Sequence, residues 1–318
     1  MAELRVEGLR AYYFPAGEEP VRAVDGASFR LEKGASLGFV GESGCGKSTL
    51  GLALLRALPF PGKIVSGSMW LNGVDLMGLS EGEFDREVRW KRISMVFQGA
   101  MNALSPVYTI GHQLSEPLIY RQGLSKGEAM RLSIEALREV GLDEGALNRY
   151  PHELSGGMRQ RAVIAMALVL RPEIVIADEP TTALDVVMQA QILNLLKGLK
   201  RRLGISVILL THDLGVVSEI AEEVAVMYAG ELVELGPSDR IYSDPRHPYT
   251  KGLMAAVPRI RGAKSRLASI SGSPPDLSNP PKGCRFRPRC PEAMPPCERS
   301  PPTIELEGDR MVRCWLYG

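Results

Sequence analysis

The chain has 318 residues, a formal net charge of +1, and 45% hydrophobic and 24% charged residues. This length allows one large α/β domain of about 250 residues plus an appendage, and the composition is that of an ordinary globular protein. The near-zero net charge gives no overall attraction to nucleic acid or to a membrane surface. No run approaches ~18 apolar residues and the N-terminus alternates like a strand, so the sequence predicts neither a membrane-spanning helix nor a signal peptide.

The start of the chain predicts mostly strands. Apolar and polar residues alternate in three short segments, at residues 4–9, 21–27 and 28–31, as is typical of antiparallel strands. Residues 36–40 are almost entirely apolar and predict a buried strand. A further strand at 68–71 ends at Asn72-Gly73, which predicts a tight turn.

A glycine-rich stretch, GESGCGKST at residues 41–49, follows the buried strand and precedes a helix predicted at 50–58. Strand, glycine-rich loop and helix in this order are the context of a phosphate-binding loop, or P-loop. Its backbone N–H groups turn towards phosphate oxygens, and the helix N-terminus adds partial positive charge. The predicted contacts come from Gly41, Ser43, Gly44, Cys45, Gly46, Lys47, Ser48 and Thr49.

Two P-loop side chains have specific predicted roles. Lys47 would reach the β- and γ-phosphates, and Ser48 would place its hydroxyl on Mg²⁺. A turn that is rich in glycine by coincidence is the alternative, and the complete G-x-x-x-x-G-K-S pattern argues against it. The sequence therefore predicts a nucleoside triphosphate site, although kinases, GTPases, helicases and transporters all use such a loop.

The rest of the chain changes from strands to helices and back. Residues 93–97 predict a strand that ends at Gln98, and residues from about 109 to 170 predict helices. Strands and helices then alternate in the manner of a parallel α/β sheet, at 174–177, 186–203, 207–211, 214–222 and 224–228. A closing hairpin is predicted at 230–236. From Pro237 onward proline accumulates and only a short helix near 249–256 is predicted, so we expect a loop-rich extension.

Asp178 and Glu179 directly follow the apolar strand predicted at 174–177. Asp178 would hold Mg²⁺ through water, and Glu179 would polarise the attacking water as a general base. Surface carboxylates that cap the next helix are the alternative, which the P-loop earlier in the chain disfavours.

Two further motifs are ambiguous when taken alone. Ser155 would be the N-cap of a helix whose first residues include Gly157, and this forms a second anion-binding helix end; an ordinary helix start would look similar. His212 follows the strand at 207–211, where its side chain could reach the γ-phosphate, although a lone histidine is more often structural.

Taken together and in this order, these motifs resemble the ATP-binding subunit of an ABC transporter over nearly the whole chain. Residues 154–158, LSGGM, are similar to the LSGG signature of that family. Gln98 is similar to the glutamine that contacts Mg²⁺ and couples to the membrane subunits, and His212 to the switch histidine. The resemblance implies a RecA-like P-loop ATPase core of α/β class with an antiparallel β subdomain and a helical subdomain.

The same resemblance assigns two more residues. Asp185 lies in a stretch, TALD at 182–185, that is similar to the D-loop. Tyr13 is expected, in preference to Tyr12, to stack on adenine, because of its position near the end of the first strand. In this family two ATPase domains dock head to tail, so Ser155 and Gly157 would serve the nucleotide of the partner ATPase subunit.

Three segments resemble the oligopeptide/dipeptide importer subfamily: residues 101–111, 150–153 and 245–253. The resemblance implies a second ABC ATPase subunit, two transmembrane permease subunits, an extracellular solute-binding protein and a peripheral location on the cytoplasmic side of the cell membrane. The implied cargo is di- or oligopeptides, with nickel or oligosaccharides as alternatives. A DNA-acting ABC ATPase is disfavoured because only about 100 residues separate the P-loop from the signature, and we expect no nucleic-acid partner.

Four of the five cysteines lie near the C-terminus, at Cys284, Cys290, Cys297 and Cys314. Clustered cysteines in a reducing compartment more often hold a metal than form disulfides, although their spacing lacks the C-x-x-C of a zinc ribbon and free structural thiols remain an alternative. The importer subfamily carries such a cysteine set, and the resemblance implies a [4Fe–4S] cluster, with Zn²⁺ as the alternative.

The motifs also suggest a division of the chain. We expect a nucleotide-binding ATPase domain over residues 1–236, with a helical subdomain at about 100–170, and an importer-type C-terminal extension over 237–318. A redox-regulatory protein in which ATP is secondary is disfavoured, because Lys47, Gln98, Glu179 and His212 form a complete set for hydrolysis.

Overall fold

The computed structural model describes residues 2–99, 103–182, 184–256 and 270–318. These form two compact units. Unit 1 comprises Met1–Glu32, Ser36–Met77 and Leu209–Gly318, and unit 2 comprises Lys33–Ala35 and Gly78–Ile208. Three residues of the motifs above lie outside the described residues: Met101 and Asn102 of the importer-like segment, and Ala183 of the D-loop stretch. The domain division at residue 236 stays a prediction.

The first sheet of unit 1 is antiparallel, with the order β2-β1-β4-β5. Its strands are β1 (Ala2–Tyr13), β2 (Val21–Glu32), β4 (Gly62–Leu71) and β5 (Val74–Asp75). The two segments predicted at 21–27 and 28–31 are one continuous strand, β2, whose register against β1 shifts at several points. Asn72 and Gly73 both have positive φ, at 49° and 81°, which is the backbone of the tight hairpin turn that the sequence predicts.

The second sheet of unit 1 contains the strands that flank the P-loop. β3 (Ser36–Val40) pairs in parallel with β9 (Glu223–Tyr228), and β9 forms a hairpin with β10 (Glu231–Pro237). The C-terminal extension adds two strands that the sequence analysis missed. These are β11 (Thr303–Leu306) and β12 (Arg310–Arg313), and β12 pairs with β10. The extension is therefore loop-rich but continues the sheet.

Among the described residues, unit 1 contains four α-helices, namely α1 (Lys47–Leu54), α7 (Leu214–Ile220), α8 (Ser238–Ser243) and α9 (Pro248–Ala256). The predicted helix at 50–58 corresponds to α1, which begins earlier because the P-loop runs directly into it. In the described part of the chain, no helix is both long and apolar enough to cross a membrane.

Unit 2 consists mainly of helices and one pair of parallel strands. The helices are α2 (Glu81–Glu87), α3 (Ile110–Gln122), α4 (Lys126–Glu139), α5 (Gly156–Leu168) and α6 (Val186–Leu203). The paired strands are β6 (Ile93–Val96) and β7 (Ile174–Asp178). β8 (Ser206–Thr211) begins in unit 2 and ends in unit 1. The predicted helix at 186–203 is confirmed as α6.

Local sequence signals set the ends of these helices. Ser125 accepts a hydrogen bond from the Glu128 N–H, and the Glu128 carboxylate accepts one from the Ser125 N–H, so α4 begins with a complete capping box. Asp185 caps α6, and Gly204, in the left-handed region with φ 65°, ends it. The two caps of α6 therefore lie at the ends of the helix that the sequence predicts at 186–203.

A buried ion pair attaches the C-terminal extension to the second sheet of unit 1. Arg310 of β12 donates to Glu234 of β10 at 3.0 Å, and both side chains are almost fully buried. The Glu234 carboxylate also accepts the backbone N–H groups of Arg246 and His247 at 2.8 Å each. The extension is thus held by charge as well as by backbone pairing, because a buried carboxylate requires these donors.

We expect the substitution Arg310→Met to destabilise unit 1 by about 3 kcal/mol, because it leaves the Glu234 carboxylate buried without its cation. The measurement is thermal unfolding followed by circular dichroism. The matched control is Arg131→Ala, which breaks an exposed pair with Glu135 and should cost less than about 0.5 kcal/mol. Equal midpoints for Arg310→Met and the control would contradict this account.

Candidate nucleotide-binding site

The P-loop lies between β3 and α1, as the sequence predicts, entirely within unit 1. Gly46 is the N-cap residue of α1, and Ser48 and Thr49 lie in its first turn, with both side chains partly exposed. Ser43 and Gly44 are exposed, while Gly41 and Cys45 are buried. The loop therefore presents its central residues and the start of a helix to solvent, which is the arrangement that binds phosphate.

Gly46 cannot be replaced without moving the loop. Its φ is 108°, and a Cβ at this position would lie 1.9 Å from the carbonyl oxygen of Ala23 in β2. Only glycine adopts such a backbone without strain. Because the loop passes this close to β2, its N–H groups keep the inward orientation that a phosphate needs.

Lys47 is buried, and its ammonium group lies against its own loop. Nζ donates to the Gly41 carbonyl at 2.7 Å and to the Glu42 carbonyl at 3.1 Å. It also lies 3.5 Å from the Cys45 sulfur. Burial raises the pKa of the Cys45 thiol, while the Lys47 ammonium opposes that rise, and the Cys45 side chain is buried within the loop.

The two neighbouring tyrosines of β1 face different surroundings. The hydroxyl of Tyr13 lies 3.5 Å from the Thr49 hydroxyl, beside the first turn of α1. The hydroxyl of Tyr12 donates to Asp25 at 2.7 Å, and burial together with this hydrogen bond raises the pKa of Tyr12 to about 12. Tyr13 is therefore the tyrosine that lies beside the P-loop helix.

The second residue of the loop, Glu42, contacts the end of the chain, which the sequence analysis did not predict. Its carboxylate accepts two hydrogen bonds from Arg289, at 2.6 and 2.9 Å. Its backbone N–H donates to the hydroxyl of Tyr249 at 2.9 Å. Glu42 and Arg289 are 247 positions apart in the chain, and no local pattern signals such a contact.

His212 follows β8 and belongs to unit 1. Its side chain is exposed. The next residue, Asp213, caps α7 by accepting the N–H groups of Gly215 and Val216. The cap fixes the backbone directly after His212, because Asp213 is held at the helix N-terminus.

The carboxylates predicted for catalysis lie at the end of β7 in unit 2. Asp178 is buried, and Glu179 is partly exposed with φ 49°. A positive φ in a glutamate costs free energy and persists only where its surroundings impose it, as is common at functional sites. The Glu179 carboxylate accepts a hydrogen bond from the Thr182 hydroxyl at 2.6 Å, which orients it.

Gln98 follows the end of the neighbouring strand of unit 2. β6 and β7 are parallel, with Val96 opposite Ala177, so Gln98 and Asp178 both lie at the carboxyl end of this strand pair. Gln98 is exposed. Side chains at this edge of a parallel sheet are those that bind ligands in α/β folds.

The signature residues begin helix α5, as predicted. The Ser155 side chain accepts the N–H of Met158 at 3.4 Å and is the N-cap. Gly157 is buried against Met188, which lies one turn into α6, and Asp185 caps that helix by accepting the Met188 N–H. Met188 therefore connects the signature residue Gly157 to Asp185, at the N-terminal ends of two helices in unit 2.

A buried hydrogen bond connects helix α5 to the residues that follow β7. The Gln160 side chain donates to the carbonyl of Pro180 at 2.8 Å, and Pro180 directly follows Glu179. Gln160 was not predicted as a functional residue, because a glutamine within a helix carries no motif. Its effect is to fix the start of α5 relative to the residues after β7.

The four C-terminal cysteines all lie in unit 1, and all are free thiols. Cys284, Cys297 and Cys314 are buried and Cys290 is half-buried. Burial, with a smaller contribution from the thiols of Cys297 and Cys314, raises the pKa of Cys284 to about 11. Among the described residues, no three His, Cys, Asp or Glu side chains are arranged to hold a metal ion.

Comparisons with known proteins agree with this geometry. The ABC transporter family profile matches residues 24–182, and the profile for the oligopeptide/dipeptide transporter C-terminal region matches 233–297. The oligopeptide transport ATP-binding protein AppD of Bacillus subtilis is 46% identical over 99% of this chain and 96% of its own length. The dipeptide transport ATP-binding protein DppD of the same organism is 49% identical, over 93% and 89%.

A solved structure provides the same comparison in three dimensions. The dimeric post-hydrolysis structure of the ATP-binding cassette MJ0796 with ADP and Pi is 30% identical and has a TM-score of 0.65. The match covers 74% of this chain and 98% of that chain. Fold and site together thus define a P-loop ATPase of the ATP-binding-cassette class. The chain belongs to the ABC transporter family, as an ATP-binding subunit of the oligopeptide/dipeptide type.

We expect Gly46→Ala to abolish ATP binding while the fold is kept, because the added Cβ would displace the loop from β2. Binding is measured with a fluorescent ATP analogue in the presence of Mg²⁺, and folding by circular dichroism. Gly82→Ala is the matched control, because Gly82 lies on the exposed face of α2 with open space around it. Wild-type affinity in Gly46→Ala would overturn the assignment of this loop.

Proposed function

We propose that this chain is the ATP-hydrolysing subunit of an ABC importer that powers the uptake of di- or oligopeptides. The observation that carries the proposal is the pair of family matches, an ATPase profile followed by an oligopeptide/dipeptide transporter C-terminal profile in one chain. Relatives that match over nearly the whole chain are named as oligopeptide and dipeptide transport ATP-binding proteins. Nickel or oligosaccharides are alternative cargoes, because the subfamily that the chain resembles includes such importers.

The site residues would have different roles in ATP binding and hydrolysis. The backbone of residues 41–49 and Lys47 would bind the phosphates, and Tyr13, which lies beside Thr49, would stack on adenine. Ser48, Gln98 and Asp178 would hold Mg²⁺, whose chemistry is to neutralise charge on the phosphates. The P-loop geometry fits these groups, because its exposed centre and the start of α1 present N–H donors to an anion.

Glu179 is the proposed general base. Its left-handed backbone and its hydrogen bond from Thr182 hold the carboxylate in one orientation, which a base must keep to accept a proton from the attacking water. His212 would complete the set from the end of β8. Ser155, Gly157 and Asp185 would act on the nucleotide of a second ATPase subunit, because helix N-termini bind anions.

The proposed partners follow from this role. They are a second ABC ATPase subunit, two transmembrane permease subunits and an extracellular solute-binding protein, with the chain on the cytoplasmic face of the membrane. The support is the similarity to a dimeric ATP-binding cassette and to transport ATP-binding proteins. We propose no nucleic-acid partner, since the net charge is only +1.

The four C-terminal cysteines are the proposed ligands of a [4Fe–4S] cluster, with Zn²⁺ as the alternative. The four thiols lie in one extension, and neighbouring thiols contribute to the raised pKa values of Cys284, Cys290 and Cys314, which supports a shared metal group. Their described positions do not form a ligand set, so we assign the group no step in hydrolysis. Its proposed role is to stabilise an extension with little apolar core.

We expect Glu179→Gln to retain ATP binding and to lose turnover, because the amide cannot accept the proton from water. With its natural partner ATPase, the variant should accumulate as an ATP-bound dimer, detected by size-exclusion chromatography with ATP and Mg²⁺. Glu135→Gln, on the surface of α4, is the control and should hydrolyse ATP at the wild-type rate. Unchanged turnover in Glu179→Gln would remove Glu179 from the role of base.

The cysteine proposal is tested by anaerobic purification, with iron, sulfide and zinc assays and a visible spectrum. We expect a brown protein with about four irons, lost when any of Cys284, Cys290, Cys297 or Cys314 is changed to serine. Cys45→Ser should keep the metal, because Cys45 lies in the P-loop. A colourless protein with one zinc would favour the zinc site, and a metal-free protein would show that the extension folds by packing alone.

A further inference from the structure

Arg289, in the C-terminal extension, meets the P-loop at Glu42. The arginine lies in a short 3₁₀ helix, Arg287–Arg289, and its two terminal nitrogens each donate to one oxygen of the Glu42 carboxylate. This two-point geometry is the strongest form of an arginine–carboxylate pair. The Arg289 side chain is only 5% exposed and that of Glu42 only 27%, so solvent screens the pair weakly.

The remaining donors of Arg289 are also occupied. Nε donates to the Ser271 carbonyl at 2.9 Å, and the terminal nitrogens also donate to the Tyr228 hydroxyl at 3.4 Å and to the Ile270 carbonyl at 3.5 Å. The Glu42 carboxylate raises the pKa of Arg289 further above its usual value, and the arginine stays charged at any pH that the protein experiences. These contacts fix the guanidinium in place, so it is a permanent positive charge next to the loop.

Tyr249 also contacts Glu42, through the backbone of the P-loop. Its hydroxyl accepts the Glu42 N–H, and its ring packs against those of Tyr228 and Phe286, at 4.6 and 5.4 Å between ring centres. Phe286 belongs to the extension and lies directly before the Arg287–Arg289 helix. Both the backbone and the side chain of Glu42 are therefore held by residues that lie beyond position 236.

An unpaired carboxylate inside a phosphate-binding loop would weaken the binding of a nucleotide. ATP carries several negative charges, and an unpaired glutamate in the same loop would repel them. Glu42 would also be free to turn towards the exposed Ser43 and Gly44, where the phosphate N–H donors begin. The paired guanidinium cancels the charge and holds the carboxylate on the side of the extension.

We propose that Arg289 is a positioning residue for the nucleotide, which neutralises Glu42 and fixes the start of the P-loop, so that the C-terminal extension forms part of the ATP site. This inference rests on the proposed function only in assuming that the P-loop binds ATP. It predicts that the affinity for nucleotide depends on a residue that contacts no phosphate.

The test is nucleotide binding by the purified full-length chain, using fluorescent ATP and ADP analogues with Mg²⁺. Arg289→Gln should raise the Kd for the ATP analogue about tenfold, since it leaves one uncompensated charge near the phosphates. The increase should be smaller for the ADP analogue, which carries less negative charge. Arg287→Gln is the matched control in the same short helix. Arg287 is exposed and pairs with Glu298, so its loss should not change Kd.

The double variant Glu42→Gln/Arg289→Gln separates an electrostatic role from general damage. If Arg289 acts by neutralising Glu42, removing both charges should restore Kd to within about threefold of wild type. If Arg289 only supports the fold, the double variant should bind no better than Arg289→Gln, and ATP and ADP should be affected equally. Either of these latter results would overturn the proposal, as would a wild-type Kd in Arg289→Gln.

Failure of the proposed function gives a different result. A wild-type chain that binds neither analogue would overturn the nucleotide site itself, and the role of Arg289 with it. A wild-type chain that binds ATP, together with an Arg289→Gln variant that binds it equally well, would overturn the role of Arg289 alone. Thermal unfolding of each variant shows whether a loss of binding reflects a loss of folding.

Discussion

The close approach of the P-loop to β2 is the constraint on which the nucleotide site depends. A Cβ at Gly46 would lie 1.9 Å from the Ala23 carbonyl oxygen, so the loop passes β2 with no room for a side chain at this position. The same stretch of β2 carries Asp25, whose N–H donates to the Gly230 carbonyl, and Gly230 in turn donates to the Cys45 carbonyl. These backbone contacts hold the loop on the side that faces β2. The N–H groups on its solvent-exposed side are therefore left to bind phosphate.

Buried arginines hold the C-terminal extension in place by forming ion pairs with the rest of unit 1. Arg285 pairs with Asp25, Arg289 with Glu42 and Arg310 with Glu234, and all three arginine side chains are largely buried. An extension with so many prolines has little apolar area to bury, and the hydrophobic effect alone would hold it weakly. Such ion pairs also favour a single position of the extension. If an arginine moved away, its largely buried carboxylate partner would be left without a cation.

Much of the fold and of the site could be predicted because the signals are local. The P-loop, the carboxylates Asp178 and Glu179 at the end of β7, and the N-cap Ser155 are each read from a few adjacent residues. Long-range contacts give no such signal: β12 pairs with β10 across more than seventy positions, and Arg289 reaches Glu42 across 247. The left-handed backbone of Glu179 was also unpredictable, because glutamate has no intrinsic preference for it.

Glu42 connects the P-loop to the C-terminal extension. Its carbonyl accepts the Lys47 ammonium, its N–H donates to Tyr249 and its carboxylate pairs with Arg289. For Lys47 to reach a phosphate, its ammonium must exchange the Gly41 and Glu42 carbonyls for phosphate oxygens. That exchange favours ATP only if the loop stays in place when the ammonium leaves it. The contacts from the extension supply this support, because they hold Glu42 independently of Lys47.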